Sequence, residues 1–227
     1  MTATARPVAA ISWSGGKDCC LALMRAFAAF DVRAAVTMFD EAGARSRSHG
    51  LRPEVVLAQA GRLGFDVETG RGSWSTYEDG FVDALDRVAA RGCTHVIFGD
   101  IFEDAHRAWN ERVAARAGLV AVQPLWGAPT AGLVREFLAR GGEATLVTVR
   151  TAYLDAAWLG RRLDTDAVET FLRIGVDPCG ERGEYHTVVT NCPLFSAPLL
   201  LDEGERVERG GCWAVDLLPR APGSTAC

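Results

Sequence analysis

No run of this 227-residue chain approaches the length and apolarity of a bilayer-spanning helix. The first residues, MTATARPVAA, lack the long apolar core of a secretory signal, so a cytoplasmic protein is expected. Basic charge is in short supply. Lys and Arg number 24 against 29 Asp and Glu, a formal net charge of -5, which argues against a nonspecific nucleic-acid binder but leaves room for a local basic groove. No C-x-x-C pair occurs, the cysteine count of 7 is odd, and the histidines (His49, His95, His106, His186) are scattered. That combination opposes a disulfide-built secreted domain and a zinc knuckle, and most of the cysteines are expected as reduced core residues. No G-x-S-x-G elbow, internal repeat or heptad run is present. What remains, 48% hydrophobic and 23% charged residues, is an ordinary globular balance with enough chain for one sizeable core or one domain with an appendage.

The chemistry begins at Ile11–Leu23, ISWSGGKDCCLAL. Val8–Trp13 reads as a buried strand, Ser14, Gly15 and Gly16 as a tight turn, and Lys17 and Asp18 as the start of a helix with Cys20, Leu23, Met24 and Phe27 on its apolar face. Glycines let backbone amides approach an anion, a helix N-terminus adds unpaired N–H groups, and Lys17 adds a mobile positive charge. The pattern reads as a phosphate or pyrophosphate cradle; the plainer alternative is a strand–turn–helix with a surface lysine. It is not the Walker loop, which needs four residues between its first glycine and Gly-Lys-Ser/Thr, nor the three-glycine dinucleotide fingerprint.

Strands and helices then alternate. Val32–Phe39, Phe65–Glu68, Thr94–Phe98 and Leu119–Val122 read as strands. Helices are expected over 17–29, from Pro53 to Leu63, over Tyr77–Ala90 and over 103–117, where Arg107 and Glu111 can pair. This order predicts an α/β fold, a parallel open sheet with helices on both faces. The polar loop 40–52, with Arg45, Arg47 and His49, lies beyond the carboxyl end of the second strand, where such sheets bind ligands. Beyond residue 126 the pattern changes. A helix over Thr130–Ala139, a strand over Thr145–Val149, a short helix within Arg161–Phe171, a strand over Tyr185–Val189 and a hairpin around Gly210-Gly211 predict a smaller C-terminal α+β domain. The expected units are 7–126 for nucleotide binding, 127–218 for the acceptor substrate, and a disordered tail over 219–227, with residues 1–6 a loose leader.

A second dense element is GVDPCGERGEYHTVV, residues 175–189, which carries Asp177, Glu181, Glu184 and His186 on a glycine-rich turn. It reads as a substrate loop, with a solvated acidic turn or a metal site as alternatives. Cys179 lies in the same turn as a candidate thiol nucleophile. Arg107 offers a rigid guanidinium fork for phosphate or carboxylate, whereas His95 and the six tryptophans are expected to be structural.

SGGKD resembles the PP-loop of ATP pyrophosphatases that cleave between the α and β phosphates. SWSGGKD (12–18), FGDIFEDAHRAWNERVAARAGL (98–119) and GVDPCGERGEYHTVV together resemble, more specifically, the diphthine–ammonia ligase family and its bacterial ATP-binding relatives. PLW (124–126), YLDAAWLG (153–160) and PLF (193–195) also match, so the resemblance covers roughly residues 8–200. It implies a HUP-like Rossmannoid sheet and an AMP-forming amide ligase that adenylates a carboxylate for attack by ammonia or an amine. It further implies a nucleotide site of Ser12, Ser14, Gly15, Gly16, Lys17, Asp18 and Cys19 with Gly99, Asp100 and Arg107, which Gly180, Glu181 and Gly183 complete from the second turn, on its acceptor side. Catalytic roles are implied for Lys17, Asp18, Asp100, Glu184 and His186, and a magnesium contact for Asp18. The partners so implied are ATP, Mg2+, a carboxylate acceptor that is a small molecule or a protein, and a nitrogen donor. A homodimer is expected only from the general frequency of symmetric oligomers. Cys19 departs from the Ser or Thr usual in the PP-loop, Arg182 from a small residue, and Tyr185-His186 from Phe-Glu. A PP-loop RNA-modifying enzyme, which would want a basic surface, and a nucleotide sensor without turnover are the competing readings.

Overall fold

The computed structural model describes residues 5–220. A five-stranded parallel sheet forms the first half, built from β1 (Val8–Ser12), β2 (Asp31–Phe39), β3 (Asp66–Arg71), β4 (His95–Ile97) and β5 (Val120–Val122) in the order β3-β2-β1-β4-β5. Helices α1 (Lys17–Ala26) and α2 (Pro53–Leu63) cover one face; α3 (Tyr77–Ala90) and α4 (Asp104–Arg116) cover the other. Strand β1 shows why its sequence is apolar throughout. Ala9 and Ile11 pack toward α1 and α2, while Ala10 packs with Phe81, Leu85 and Val113 on the opposite side. A strand buried on both faces needs no alternation of polar residues.

The second half is α5 (Thr130–Ala139), β6 (Glu143–Arg150), α6 (Thr165–Ile174), β7 (Tyr185–Asn191), β8 (Leu201–Arg209) and β9 (Cys212–Pro219). Its strands form an antiparallel sheet ordered β7-β6-β9-β8. The α/β architecture with a smaller antiparallel C-terminal part is therefore the one expected. The boundaries differ in places. Helix α1 stops at Ala26, and the chain turns back so that Asp31 N–H reaches Pro7 O. Strand β3 runs on to Arg71, because parallel pairing with β2 continues through Met38 and Phe39. Helix α6 begins at Thr165, where the Asp164 carboxylate accepts from Ala167 N at 2.8 Å and caps it. Pro219 still pairs with Leu201 and Arg220 binds Asp202, so the expected tail begins later than 219; residues 221–227 lie outside the described residues. The same is true of 1–4 in the expected leader, whereas Arg6 donates to Phe27 O at 2.8 Å. Among the described residues the cysteines are free thiols, and no helix is long and apolar enough to cross a membrane.

One apolar core runs through both sheets, from Ile11, Leu21 and Val56 to Leu146, Phe171 and Val188. A polar seam crosses it. Val189 N donates to Gly15 O at 2.9 Å. Gln59 of α2, 0% exposed, donates through Nε2 to Gly15 O (3.0 Å) and Val189 O (2.8 Å) and accepts from Trp13 Nε1 (2.9 Å) through Oε1. Each buried polar group deprived of its partner costs roughly 1–3 kcal/mol. Gln59→Leu leaves Trp13 Nε1 without its acceptor and takes one donor each from Val189 O and from Gly15 O, which keeps Val189 N; it is expected to destabilise the chain by roughly 2 kcal/mol or more, read by chemical denaturation. A loss under about 1 kcal/mol would show that the seam is not structurally important.

Candidate functional site

The carboxyl ends of β1 and β4 diverge around a cleft of about 330 Å³. Gly15 makes the turn out of β1 at φ +85, a conformation that disfavours any side chain. Helix α1 then starts at the cleft with no side-chain cap from Gly16, the kind of helix start at which an anion can be held. From β4, Gly99 presses against this turn: a Cβ there would stand 2.8 Å from Cys19 N and 3.0 Å from Asp18 C. The glycine is required by a close approach of two backbones.

The second motif closes the cleft from the far half of the chain. Lys17 N donates to Thr187 Oγ1 at 3.1 Å. The Lys17 ammonium, 3% exposed, donates to Cys179 O and to Asp18 Oδ2 (2.8 Å), and lies 5.1 Å from the Tyr185 ring centroid. It is therefore neither the mobile charge expected from the sequence nor the surface lysine of the plainer alternative. Burial, the largest single influence, would lower its pKa, but Asp18 together with Tyr185 and Cys179 holds it above the usual lysine value. Tyr185 OH donates to Pro178 O and completes the turn's anchorage.

Of the residues expected in the site, Ser12, Ser14, Lys17, Asp18, Cys19, Gly99, Asp100, Gly180, Glu181, Gly183 and His186 line the cleft together. Gly15 and Gly16 shape its turn. Two expected residues are elsewhere. Arg107 pairs with Glu111 at 2.9 Å and lies 5.2 Å from the Trp126 ring, outside the cleft wall. Glu184, 2% exposed, turns its carboxylate inward to accept from Asp177 N (3.3 Å) and Arg182 N (3.0 Å); it braces the turn rather than facing the cleft. Cys19 lines the cleft but aims its thiol at Gly16 O (3.1 Å), and burial pushes its pKa up, so it stays neutral. Cys179 is likewise a buried thiol with a raised pKa, donating to Thr130 O at 3.3 Å, which removes the thiolate a nucleophile would need.

Acidity concentrates on the opposite wall. Asp100 is held by Asn110 Nδ2 (2.8 Å) and faces His106 Nδ1 (3.3 Å). Glu181 is raised to about 8, first by burial and then by the Asp18, Asp100 and Asp177 carboxylates, so it carries a proton at neutral pH. The sequence did not single out Tyr77, Asn110 and Thr187 as site residues, yet all three line the cleft, together with His49 of the loop expected beyond the second strand. Asn110 and Tyr77 sit on helices whose other faces are core, and their inward register gave no local signal. His49 was visible only as part of a charged loop.

Two family models match the chain. The diphthamide synthase N-terminal domain covers residues 7–121 and the diphthamide synthase C-terminal domain covers residues 129–216. The chain belongs to the diphthamide synthase family. It is similar to diphthine–ammonia ligases of Rattus norvegicus (34% identical over 116 residues, 49% of this chain and 43% of the relative), Homo sapiens (34% over 113 residues, 48% and 42%) and Danio rerio (35% over 118 residues, 49% and 46%). The matched stretch thus spans less than half the length of these relatives. Among solved structures, a predicted subunit of tRNA methyltransferase from Methanocaldococcus jannaschii aligns at TM-score 0.44 and 15% identity, covering 82% of this chain and 98% of that one. In this family setting the Gly99 contact gives a direct check. Gly99→Ala forces β4 away from α1, and the strain is expected to cost about 1–3 kcal/mol of stability. Thermal unfolding measures the loss; an unchanged midpoint would mean the two backbones are not in close contact.

Proposed function

We propose that this chain is an ATP-dependent, AMP-forming ligase that adenylates a carboxylate for attack by ammonia or an amine. The observation that carries the reading is the junction of the two motifs: Lys17 of SGGKD reaches Cys179 O and Thr187 Oγ1, so a glycine-rich anion cradle and an acidic, glycine-rich turn share one cleft. Family membership supports the same reading at a coarser level.

In this scheme the triphosphate lies over residues 14–18, with its β and γ phosphates at the start of α1 and near the Lys17 charge. The acceptor carboxylate attacks the α-phosphorus, the α–β bond breaks, and pyrophosphate leaves. Nitrogen then attacks the acyl carbon of the mixed anhydride, and AMP departs. No protein nucleophile is needed, in keeping with the neutral thiols of Cys19 and Cys179. Glu181, protonated beside the other carboxylates, is placed to donate a hydrogen bond to an incoming anion. Among the described residues no group of three or more His, Cys, Asp or Glu forms a metal cage. Asp18 at the cleft wall nevertheless fits magnesium, which commonly takes one or two carboxylates and completes its shell with phosphate oxygens and water. There the ion would neutralise charge on the departing pyrophosphate.

The test is incubation of the protein with ATP, Mg2+, ammonium and fractionated cell extract as acceptor source, reading AMP and pyrophosphate. AMP and pyrophosphate in equal amounts are expected; ADP with no AMP would overturn the bond cleavage. Lys17→Ala is expected to lower turnover by about 100-fold or more, the scale of losing one transition-state charge contact. Cys19→Ser, which keeps a donor toward Gly16 O, is expected to stay within a few-fold of wild type.

A further inference from the structure

His49 stands where several parts of the molecule meet. Its ring lies so close over the glycine turn that a Cβ on Gly16 would be 2.2 Å from His49 Cε1. It stacks on His186 of β7, with ring centroids 4.7 Å apart and planes 26° from parallel. Its Nδ1 is 2.8 Å from Thr187 O. A carbonyl only accepts, so Nδ1 carries the proton and Nε2 keeps a free lone pair. Among the described residues the buried side-chain nitrogens and oxygens without a partner are Arg47 Nε and Arg62 Nε. His49 Nε2 is not one of them, so it opens to a cavity, and His49 walls two: the nucleotide cleft and a neighbouring space of about 280 Å³.

The loop that carries His49 is clamped from the second half of the chain. Asp216 of β9 accepts from Arg45 Nη1 (2.5 Å) and Arg52 Nε (2.9 Å), one on each side of His49. The two imidazoles therefore stand as a rigid pair beside the phosphate cradle. Burial, then the neighbouring His186 and Lys17, hold His49 well below the usual histidine value, against the pull of the Thr187 carbonyl. Burial, Lys17 and Arg150 hold His186 at about 4. Across the neighbouring cavity stand Arg45, Arg52 and Arg209 with Glu205 and Asp216. Both rings are neutral at pH 7, and His49, with its N–H taken by Thr187 O, turns a lone pair to the cavity. Phosphate oxygens are acceptors too, so a triphosphate laid over residues 14–18 meets that lone pair unfavourably unless a proton comes between them.

We propose that the His49–His186 pair takes up one proton from solvent when ATP binds and donates it in a charge-assisted hydrogen bond to the triphosphate. The inference rests on the ATP reading above. The proton passes from buffer to an imidazole nitrogen, and no bond to phosphorus changes. The sign follows from charge. Cationic and buried surroundings depress the pair in the free protein, and a polyanion raises it. Between the free and bound pKa values the complex holds the extra proton, so affinity falls as pH rises through that window, by up to about tenfold per unit.

The experiment is calorimetric titration of the protein with ATP and Mg2+ near pH 6 in buffers of different ionisation enthalpy, for wild type, His49→Gln and His49→Phe. The nucleotide's own terminal-phosphate ionisation is common to all three, so the difference isolates the protein's proton. Wild type is expected to show net uptake beyond that of the variants, and the variants a flatter pH dependence of affinity. Equal uptake in wild type and variants overturns the proposal and leaves the nucleotide site standing. Absence of ATP binding by wild type at every pH overturns both. Should the variants not bind, nitrogen-15 spectra of wild-type imidazoles decide directly: protonation of the pair on adding ATP supports it, and an unchanged neutral tautomer sinks it.

Discussion

The cleft exists because a backbone carbonyl in the first turn, Gly15 O, is satisfied jointly by α2 of its own half and by β7 of the other. Val189 N and Gln59 Nε2 both donate to it, and Gln59 also serves Val189 O and Trp13 Nε1. A buried carbonyl in a non-repeating turn has no ladder to join, so some donor must be brought to it. Here the donors come from β7 and α2. Once they arrive, β7 lies alongside the PP-loop, and the turn before it stands over Lys17. The continuous apolar core holds the same juxtaposition from beneath, with α1, β1, β6 and β7 contributing to one cluster.

Much of this architecture was legible in the sequence because it rests on local rules. Val8–Trp13 is apolar at every position that two covered faces require. Pro53 and Gly64 frame α2 at its first turn and its left-handed end, and Tyr77–Ala90 shows helical spacing throughout. The end of β3 was less visible. Gly70 and Arg71 look like loop residues, and only the neighbouring strand β2 keeps them extended. Likewise Pro219 reads as a tail residue until its partner Leu201 is in place.

The site was readable where motif and cleft coincide and obscure where direction matters. SGGKD and GERGEYHT both supply backbone that lines the cleft, but sequence does not say which way a side chain turns. Glu184 looks like Glu181 in the motif; one braces amides inside the turn and the other faces the cleft. Lys17 looks like a free hand and is a fastened one. Arg107 and Glu111 were expected to be able to pair, and the paired Arg107 does not line the cleft. His49 depended on a contact of the opposite kind: its place is defined by Gly16, Thr187 and His186, residues far from it in the chain.

The fastening of Lys17 to Cys179 O has a thermodynamic consequence. The cleft is complete only while the two sheets are docked, so on the proposed reading its ligand-competent state and its docked state are one state. A ligand bound there would add its binding free energy to the cohesion between the halves, by RT ln(1 + [L]/Kd). The first half alone would present the glycine turn with Lys17 detached from Cys179 O and Thr187, and ligand affinity would carry the cost of assembling the rest. In this protein cooperativity of folding and occupancy of the cleft are two readings of the same contact.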